Sequence, residues 1–200
     1  QNMSYFTQLI RTPDISIALM QEWEAKIEKM AQSTILEDVT MIAGVPTWTI
    51  VLIKKIFEIT GKNNLHDVWP NLELYMHGGV NFVPYAEQFK HLIPSDKMHY
   101  LETYNASEGF FASQDIIGRD GMLLFLNHGI FYEFMPTEEY GKENPITLQL
   151  PEVEMHKNYI LVISTNAGLW RYIVGDTIQF TSLDPFRIKV SGRIKSFINA

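Results

Sequence analysis

The alternation of strand-like and helix-like segments between residues 35 and 110 limits the possible folds of this chain most strongly. The short apolar runs are typical of buried strands, and the longer segments between them have helical features. Pro46 suits the first turn of a helix, and Gly61 suits its end. Strands that alternate with helices predict parallel pairing through crossover connections. Strands are predicted at 39–42, 72–76 and 98–104, with helices at 16–31, 46–60 and 84–94.

The second half of the chain has a different pattern. After Phe111 the sequence contains short apolar runs between turns and almost no helix signals. We therefore predict an α/β subdomain over residues 1–111 and a small antiparallel, β-barrel-like subdomain over 112–200. The turn residues Asn127–Gly129 are expected to close the first hairpin of this half. Its strands are predicted at 123–126, 131–134, 159–163, 176–181 and 186–190.

Composition excludes several classes of protein. A net charge of −7 argues against a general nucleic-acid partner, because phosphate backbones require clustered Lys and Arg. The absence of cysteine excludes disulfides, thiolate metal sites and a cysteine nucleophile, and it fits a cytoplasmic protein. The longest apolar stretch, residues 50–59, is too short and too charged to span a membrane.

Polar groups suited to a nucleotide follow the predicted strand at 98–104. The Tyr104 ring could stack on a purine, Ser107 could contact a phosphate, and Glu108 could hold Mg²⁺, which prefers carboxylate and phosphate oxygens. Ligands bind at the carboxyl ends of such strands. Each residue alone has a simpler interpretation, as a core ring, a turn cap or a surface charge. The complete string Tyr104–Gly109 favours a site.

Three further segments carry candidate ligand groups. Gly78 and Gly79 would allow a ligand to approach the backbone closely, although an ordinary tight turn is the better explanation of the two glycines taken alone. Asp176, after Gly175, could accept both ribose hydroxyls, or it could belong to a plain hairpin turn. Arg193 and Lys195 could meet phosphate charge, or they could be solvated residues of a strand edge.

Common catalytic and nucleotide-binding motifs are missing. The sequence has no G-x-G-x-x-G, no G-x-x-x-x-G-K-[ST] and no G-x-S-x-G. Its six histidines are too dispersed to favour a zinc site.

The ordered motifs resemble those of the adenylate-forming superfamily, most closely the Gretchen Hagen auxin-responsive family of acyl-acid amido synthetases. Each motif is moderately specific, but their order and spacing make the resemblance strong. The segments that carry it are Ala43–Trp48, His77–Val80, Tyr104–Gly109, Phe131–Phe134 and Trp170–Asp176.

The resemblance implies an ATP-dependent ligase of two steps. A carboxylic acid attacks the α-phosphate and expels pyrophosphate, and an amino-acid amine then displaces AMP from the acyl group. It also implies that these residues belong to the N-terminal domain of such an enzyme, without its phosphate loop and C-terminal domain. We therefore expect an internal fragment that is inactive alone.

The resemblance also assigns roles to individual residues. Tyr104 and Gly78–Gly79 would flank adenine, Ser107 would touch the α-phosphate, Glu108 would bind Mg²⁺ and Asp176 would hold the ribose. Arg193 would contact the nucleotide, and Lys195 would lie at the hinge of the missing domain. An apolar acyl pocket is expected from Val45, Trp48, Phe110 and Phe111.

Two alternatives remain open from the sequence. The acyl group could pass to a thiol such as coenzyme A instead of an amine, since the sequence does not separate the two acceptors. The chain could also be a noncatalytic α/β interaction module. In either ligase reading the partners are small molecules, and neither nucleic acid nor membrane is expected.

Overall fold

A computed structural model describes residues 10–194. The chain divides into two compact units, Gln1–Leu101 and Glu102–Ala200. This boundary falls within the strand His99–Ala106. The sequence instead predicts the boundary between the α/β and the β-rich subdomains at Phe111.

The first unit is mixed α/β. Its strands β1 and β2 pair in parallel, with Ala43 opposite Met76, which confirms the predicted parallel arrangement for this pair. In chain order the unit contains α1 (Ile15–Ala18), α2 (Trp23–Thr34), β1 (Met41–Gly44), α3 (Pro46–Thr60), β2 (Leu74–Gly78), α4 (Ala86–Leu92) and the start of β3 (His99–Ala106).

The single helix predicted at 16–31 is two helices in the structure. Asp14 caps α1 by accepting the N–H of Ser16 over 2.8 Å. Glu22 caps α2 by accepting the N–H groups of Glu24 and Ala25. Each cap satisfies orphan donors at a helix start, so the chain begins a helix twice.

Helix α3 begins and ends where the sequence predicts. Pro46 occupies its first turn, and Gly61 adopts the left-handed conformation at φ 69° while its N–H donates to Phe57. The helix buries Ile50, Ile53 and Ile56 in the core of the first unit. Apolar residues at three-residue steps lie on one face of a helix, which explains this packing.

The second unit is an open antiparallel sheet. Its strands are hydrogen-bonded in the order β3-β4-β5-β9-β8-β7-β6, and each neighbouring pair is antiparallel. The antiparallel prediction is confirmed, but the sheet does not close into a barrel. The strands after β3 are β4 (Gly109–Ser113), β5 (Met122–Leu124), β6 (Ile130–Pro136), β7 (Asn158–Thr165), β8 (Tyr172–Leu183) and β9 (Phe186–Arg193).

The prediction of a hairpin turn at Asn127–Gly129 is wrong. Strand β5 pairs with β4 and β9, and β6 pairs with β7, so residues 127–129 join strands that are not neighbours. The structure also contains β4, which the sequence prediction missed. Strands β3 and β4 form a hairpin, and this hairpin carries the first of the candidate ligand groups.

An aromatic core fills one face of this sheet. Phe111, Phe134 and Phe180 are fully buried there, and Phe180 lies edge-on to Phe134 at a centroid distance of 5.0 Å. Arg187 is the one charged residue of the described chain that is less than 9% exposed, and it donates from both terminal nitrogens to Asp115. The pair ties the segment after β4 to strand β9.

Candidate functional site

Ser107 and Glu108 form the two-residue tip of the β3–β4 hairpin. Ala106 pairs with Gly109 across the ladder, so the turn projects the two intervening side chains. Ser107 is exposed and Glu108 is half-buried. An ideal Cβ at position 109 would lie 2.9 Å from both Ile130 Cδ1 and Phe111 Cε1, so a side chain there would require these neighbours to shift. This crowding explains why glycine follows the carboxylate.

Asp176 is the centre of a hydrogen-bonded trio in the second unit. Its Oδ2 accepts the hydroxyl of Tyr104 over 2.9 Å, and its Oδ1 accepts Nε of Arg193 over 2.7 Å. Asp176 and Arg193 are cross-strand partners on β8 and β9, so the register of the sheet sets their contact. The structure therefore brings together three residues that are far apart in sequence.

The carboxylate of Asp176 keeps acceptor capacity for a ligand. Its side chain is 13% exposed, and its two oxygens offer about four lone-pair sites. The bonds from Tyr104 and Arg193 use one site on each oxygen. The remaining lone-pair sites suit hydroxyl donors such as those of a ribose, so the polar groups present are compatible with a nucleotide.

Tyr104 is mostly buried. It is 6% exposed, and its ring lies edge-on to Phe111 at a centroid distance of 5.0 Å. Burial, together with the facing charge of Asp176, raises the pKa of Tyr104 far above its usual value. The phenol therefore stays protonated and acts as a donor to Asp176. Its expected stacking on adenine stays a prediction.

Glu108 has a partner that the sequence motifs did not indicate. The hydroxyl of Tyr172, the first residue of β8, donates to Glu108 Oε1 over 3.2 Å. This hydrogen bond to the carboxylate raises the pKa of Tyr172. Tyr172 stands in the same Trp170–Asp176 segment as the ribose candidate, which is the signal that could have indicated it.

The geometry around Glu108 is compatible with Mg²⁺. Within residues 10–194 no cluster of three or more His, Asp or Glu residues is arranged to bind a metal. A nucleotide-bound Mg²⁺ needs only one or two carboxylates, because phosphates and water supply its other ligands. Glu108 can provide such a carboxylate through Oε2, to which no hydrogen bond is seen among these residues.

The first unit brings Gly79 close to Val45. Gly79 has φ 79°, and an ideal Cβ there would lie 3.3 Å from Val45 Cγ2. Gly78 ends β2 and is buried. Gly79 therefore provides bare backbone beside the start of α3. The role of both glycines at adenine stays a prediction.

His77 precedes these glycines and is buried against aromatic rings. It is 4% exposed and stacks on Phe82 at a centroid distance of 4.0 Å. Loss of solvation lowers the pKa of His77 to about 4, so the imidazole is neutral at physiological pH. An uncharged ring at this position preserves the apolar character of the strand end.

The four residues expected to line an acyl pocket differ in exposure. Trp48 is 54% exposed and contacts Trp23 at a centroid distance of 4.4 Å. Phe110 is 41% exposed and lies edge-on to Phe125, whereas Phe111 is completely buried. Adjacent strand residues point to opposite faces, which explains the contrast between Phe110 and Phe111. Their roles, with that of Val45, stay predictions.

Lys195, expected at a hinge, lies outside the described residues.

Within the described part, no helix is long and apolar enough to span a membrane.

Two family models match the chain in order. Residues 2–98 match the GH3 family N-terminal domain, and residues 123–193 match the GH3 family central domain. Indole-3-acetic acid-amido synthetase GH3.3 of Arabidopsis thaliana is 28% identical over 138 residues, 63% of this chain. The chain spans 22% of the length of that relative.

Solved structures show the same fold. GH3.15 acyl acid amido synthetase superposes with a TM-score of 0.72 and 14% identity, over 95% of this chain and 43% of that one. An open conformation of 2-hydroxyisobutyryl-CoA ligase, in complex with 2-HIB-AMP and CoA, gives a TM-score of 0.64 and 12% identity, over 88% and 41%. On the family matches, which this fold accords with, the chain belongs to the GH3 family.

Proposed function

We propose that this chain supplies the ribose and metal side of the nucleotide site in an ATP-dependent acyl-acid amido synthetase. The observation that carries the proposal is the Asp176 trio, in which Tyr104 and Arg193 hold a carboxylate with free acceptor sites. Glu108, on a hairpin tip in the same unit, adds a carboxylate for a cation. Membership of the GH3 family gives this arrangement its chemical context.

The proposed reaction has two displacements. An oxygen of a carboxylic acid bonds to the α-phosphorus of ATP, and the bond to pyrophosphate breaks. The nitrogen of an amino acid then bonds to the acyl carbon, AMP leaves with the electron pair of the broken bond, and the amine loses a proton. Phosphoryl and acyl transfers of this kind need positioning and charge neutralisation more than covalent help.

The residues of the second unit would divide this work between them. Asp176 would accept the ribose hydroxyls, and Tyr104 would keep that carboxylate oriented by its hydrogen bond. Arg193, whose side chain is 68% exposed, pairs with Asp176 through Nε and could direct its remaining N–H groups to phosphate. Ser107 would contact the α-phosphate from the hairpin tip.

Glu108 would hold Mg²⁺ beside the phosphates. The cation would neutralise charge that develops on the phosphate oxygens during displacement. The hydrogen bond from Tyr172 restrains Glu108 on one oxygen. We therefore assign Glu108 to the metal and Asp176 to the ribose, rather than the reverse.

The remaining assignments follow from the family and the composition. The partners would be a carboxylic acid and an amino acid, and the protein would act in the cytoplasm. The net charge of −7 does not favour nucleic acid as a partner. In the first unit, Gly78–Gly79 would lie by adenine, and Val45 and Trp48 would contact the acyl substrate. In the second unit, Phe110 and Phe111 would contact the acyl substrate.

Pyrophosphate exchange in the full-length protein that carries this chain tests the proposal. Asp176→Asn and Glu108→Gln should each reduce acid-dependent exchange by about 100-fold, the first because the ribose is no longer held in position and the second because charge at the reacting phosphates is no longer neutralised. Glu154→Gln is the matched control, because Glu154 is an exposed carboxylate paired with Lys157. Full exchange activity in both site variants would refute the nucleotide assignment.

The acceptor is determined in a second step. Amino acids and coenzyme A are offered separately to the protein after it has formed the activated acid. Release of AMP that requires an amino acid supports the amido synthetase. Release that requires coenzyme A supports the thioester alternative, and the absence of any exchange would leave a noncatalytic module.

A further inference from the structure

The turn between β7 and β8 has an unusual backbone at Arg171. Its φ is 45°, in the left-handed region that residues with a side chain rarely adopt. The residue is nevertheless fixed from both sides: its N–H donates to Ser164 Oγ over 3.0 Å, and the next residue pairs with Ile163. Such a conformation persists only where surrounding contacts determine it.

The side chain of Arg171 makes those contacts with two other segments. Its Nε donates to Glu133 Oε2 over 3.1 Å, and its Nη2 lies 3.0 Å from Glu133 Oε1. The same Nη2 donates to Thr147 Oγ1, and Thr147 donates in turn to Glu133 over 2.7 Å. A two-pronged guanidinium–carboxylate pair fixes direction as well as distance. We call Glu133, Thr147 and Arg171 the clamp.

Both partners of Arg171 are themselves well anchored. Glu133 lies on β6, between the buried residues Tyr132 and Phe134, and its side chain is 13% exposed. Thr147 precedes Leu148, which is bridged to Phe134 by two backbone hydrogen bonds of 2.8 and 2.9 Å. The clamp thus fixes the turn at Arg171 relative to the buried residues of β6.

The residue after Arg171 reaches the proposed metal carboxylate. Tyr172 is 40% exposed, and its hydroxyl donates to Glu108 Oε1. Its position depends on the backbone that Arg171 holds, since the two residues share a peptide bond. A continuous chain of contacts therefore runs from Glu133 through Arg171 and Tyr172 to Glu108.

We propose that Glu133, Thr147 and Arg171 are positioning residues that fix Tyr172 against Glu108, and that they thereby set the affinity of the site for Mg²⁺. In this proposal the clamp acts through Tyr172 and Glu108 and not by binding the metal itself. The Mg²⁺ part of this inference rests on the proposed function, whereas the placement of Tyr172 does not.

The placement of Tyr172 is tested by ¹⁹F NMR of the chain with 3-fluorotyrosine incorporated only at position 172. Glu108→Gln defines the signal of a Tyr172 that has lost its carboxylate partner. Arg171→Asn removes the guanidinium but keeps a residue that tolerates positive φ. Glu133→Gln removes the charge from the other side of the clamp while keeping the shape of the side chain.

Both clamp variants should shift the ¹⁹F resonance toward that of Glu108→Gln and narrow it, because Tyr172 gains mobility. Arg119→Asn, which removes an exposed arginine of the same unit, should leave the resonance unchanged. If folded Arg171→Asn and Glu133→Gln proteins both keep the parent resonance, the clamp does not position Tyr172 and the inference is overturned. Circular dichroism establishes that each variant is folded.

The effect on the metal is measured by pyrophosphate exchange in the full-length protein. Arg171→Asn and Glu133→Gln should raise the Mg²⁺ concentration for half-maximal exchange by about tenfold, as is common when a group that orients a metal ligand is lost. The KM for the carboxylic acid should stay constant. An unchanged Mg²⁺ requirement with a shifted ¹⁹F signal would overturn the metal part alone. A parent protein without exchange would refute the proposed function and leave the placement of Tyr172 to the NMR result.

Discussion

Tyr104 and Asp176 are 72 residues apart in sequence, and a hydrogen bond of 2.9 Å joins the phenol of one to the carboxylate of the other. Tyr104 is almost completely buried, and Asp176 is accessible only at its edge. The pair therefore links the core of the second unit to its candidate ribose site. Removal of this hydrogen bond should lower the free energy of unfolding and weaken ligand binding.

Tyr104→Phe should lower the free energy of unfolding by about 1.5–3 kcal/mol, the usual range for a hydrogen bond to a charged group. The ring and its edge-on contact with Phe111 remain in this variant. Urea denaturation followed by circular dichroism measures the change. An unfolding free energy equal to that of the parent would mean that the bond contributes nothing to the folded state.

Tyr132→Phe is the matched control and should behave differently. The Tyr132 hydroxyl is buried and has no hydrogen-bond partner among the described residues, and burial raises the pKa of this phenol. Removal of an unsatisfied buried hydroxyl should change stability little or increase it by up to about 1 kcal/mol. The same denaturation experiment decides this. A clear loss of stability would indicate that the hydroxyl bonds to a group outside residues 10–194 or to a buried water.

His77 should make stability depend on pH between about 4 and 6.5. Its folded-state pKa of about 4 lies below the ordinary value of 6.5, so the unfolded chain binds a proton first as the pH falls. Stability due to the neutral imidazole is thus complete above pH 6.5 and is lost as the pH falls toward 4. His77→Phe should keep the stacking on Phe82 and remove this slope.

Urea midpoints of parent and His77→Phe at pH 4.5, 5.5 and 7 check the expectation. His91→Phe is a control for a histidine at the end of α4 that is exposed. Parallel pH profiles of the parent and His77→Phe would show that His77 does not titrate abnormally.

Gly175→Ala should cost about 1 kcal/mol of stability, because Gly175 has φ 94° and alanine tolerates this conformation poorly. Among residues 10–194, and apart from its two chain neighbours, no heavy atom lies within 4 Å of an ideal Cβ at this position, so the cost is expected from the backbone conformation. Gly118→Ala provides the comparison, since Gly118 has φ 74° and equally open surroundings.

The two glycine variants should differ in their response to ATP. Gly175 precedes Asp176, so a changed backbone there should move the carboxylate and reduce the thermal shift that ATP with Mg²⁺ produces. Gly118→Ala should keep that shift. Equal ATP-induced thermal shifts in both variants would show that the backbone before Asp176 does not affect nucleotide binding.

Local signals predicted the first unit best. Pro46 and Gly61 act within one turn of their own positions, and α3 has the predicted bounds. The split between α1 and α2 was missed because Glu22 is an uncommon helix cap, and only the structure shows its carboxylate accepting two N–H groups.

Pairing between distant strands was harder to predict. The turn at Asn127–Gly129 has suitable residues for a hairpin, but β5 finds its partners in β4 and β9 instead. Such pairing depends on packing between residues far apart in sequence, which turn residues do not encode. The contact between Tyr172 and Glu108 was not predicted for the same reason, because the two residues are 64 positions apart in sequence.

The candidate site was predicted as a set of residues rather than as an arrangement. The motifs indicated Tyr104, Asp176 and Arg193, and the structure joins these three by hydrogen bonds. The alternation of Phe110 and Phe111 between exposed and buried faces follows from strand geometry once β4 is recognised. Their functional assignments stay predictions.

The two-residue tip at Ser107–Glu108 limits how the length of the chain can vary during evolution. An insertion between Tyr104 and Phe111 would move the carboxylate and, by one step of the strand, would exchange the inward ring for the outward one. The polar segment at 138–145 is free of that constraint, since Gly141 there is exposed and has open space around it. We expect related sequences to keep the hairpin at constant length and to gain or lose residues around Gly141.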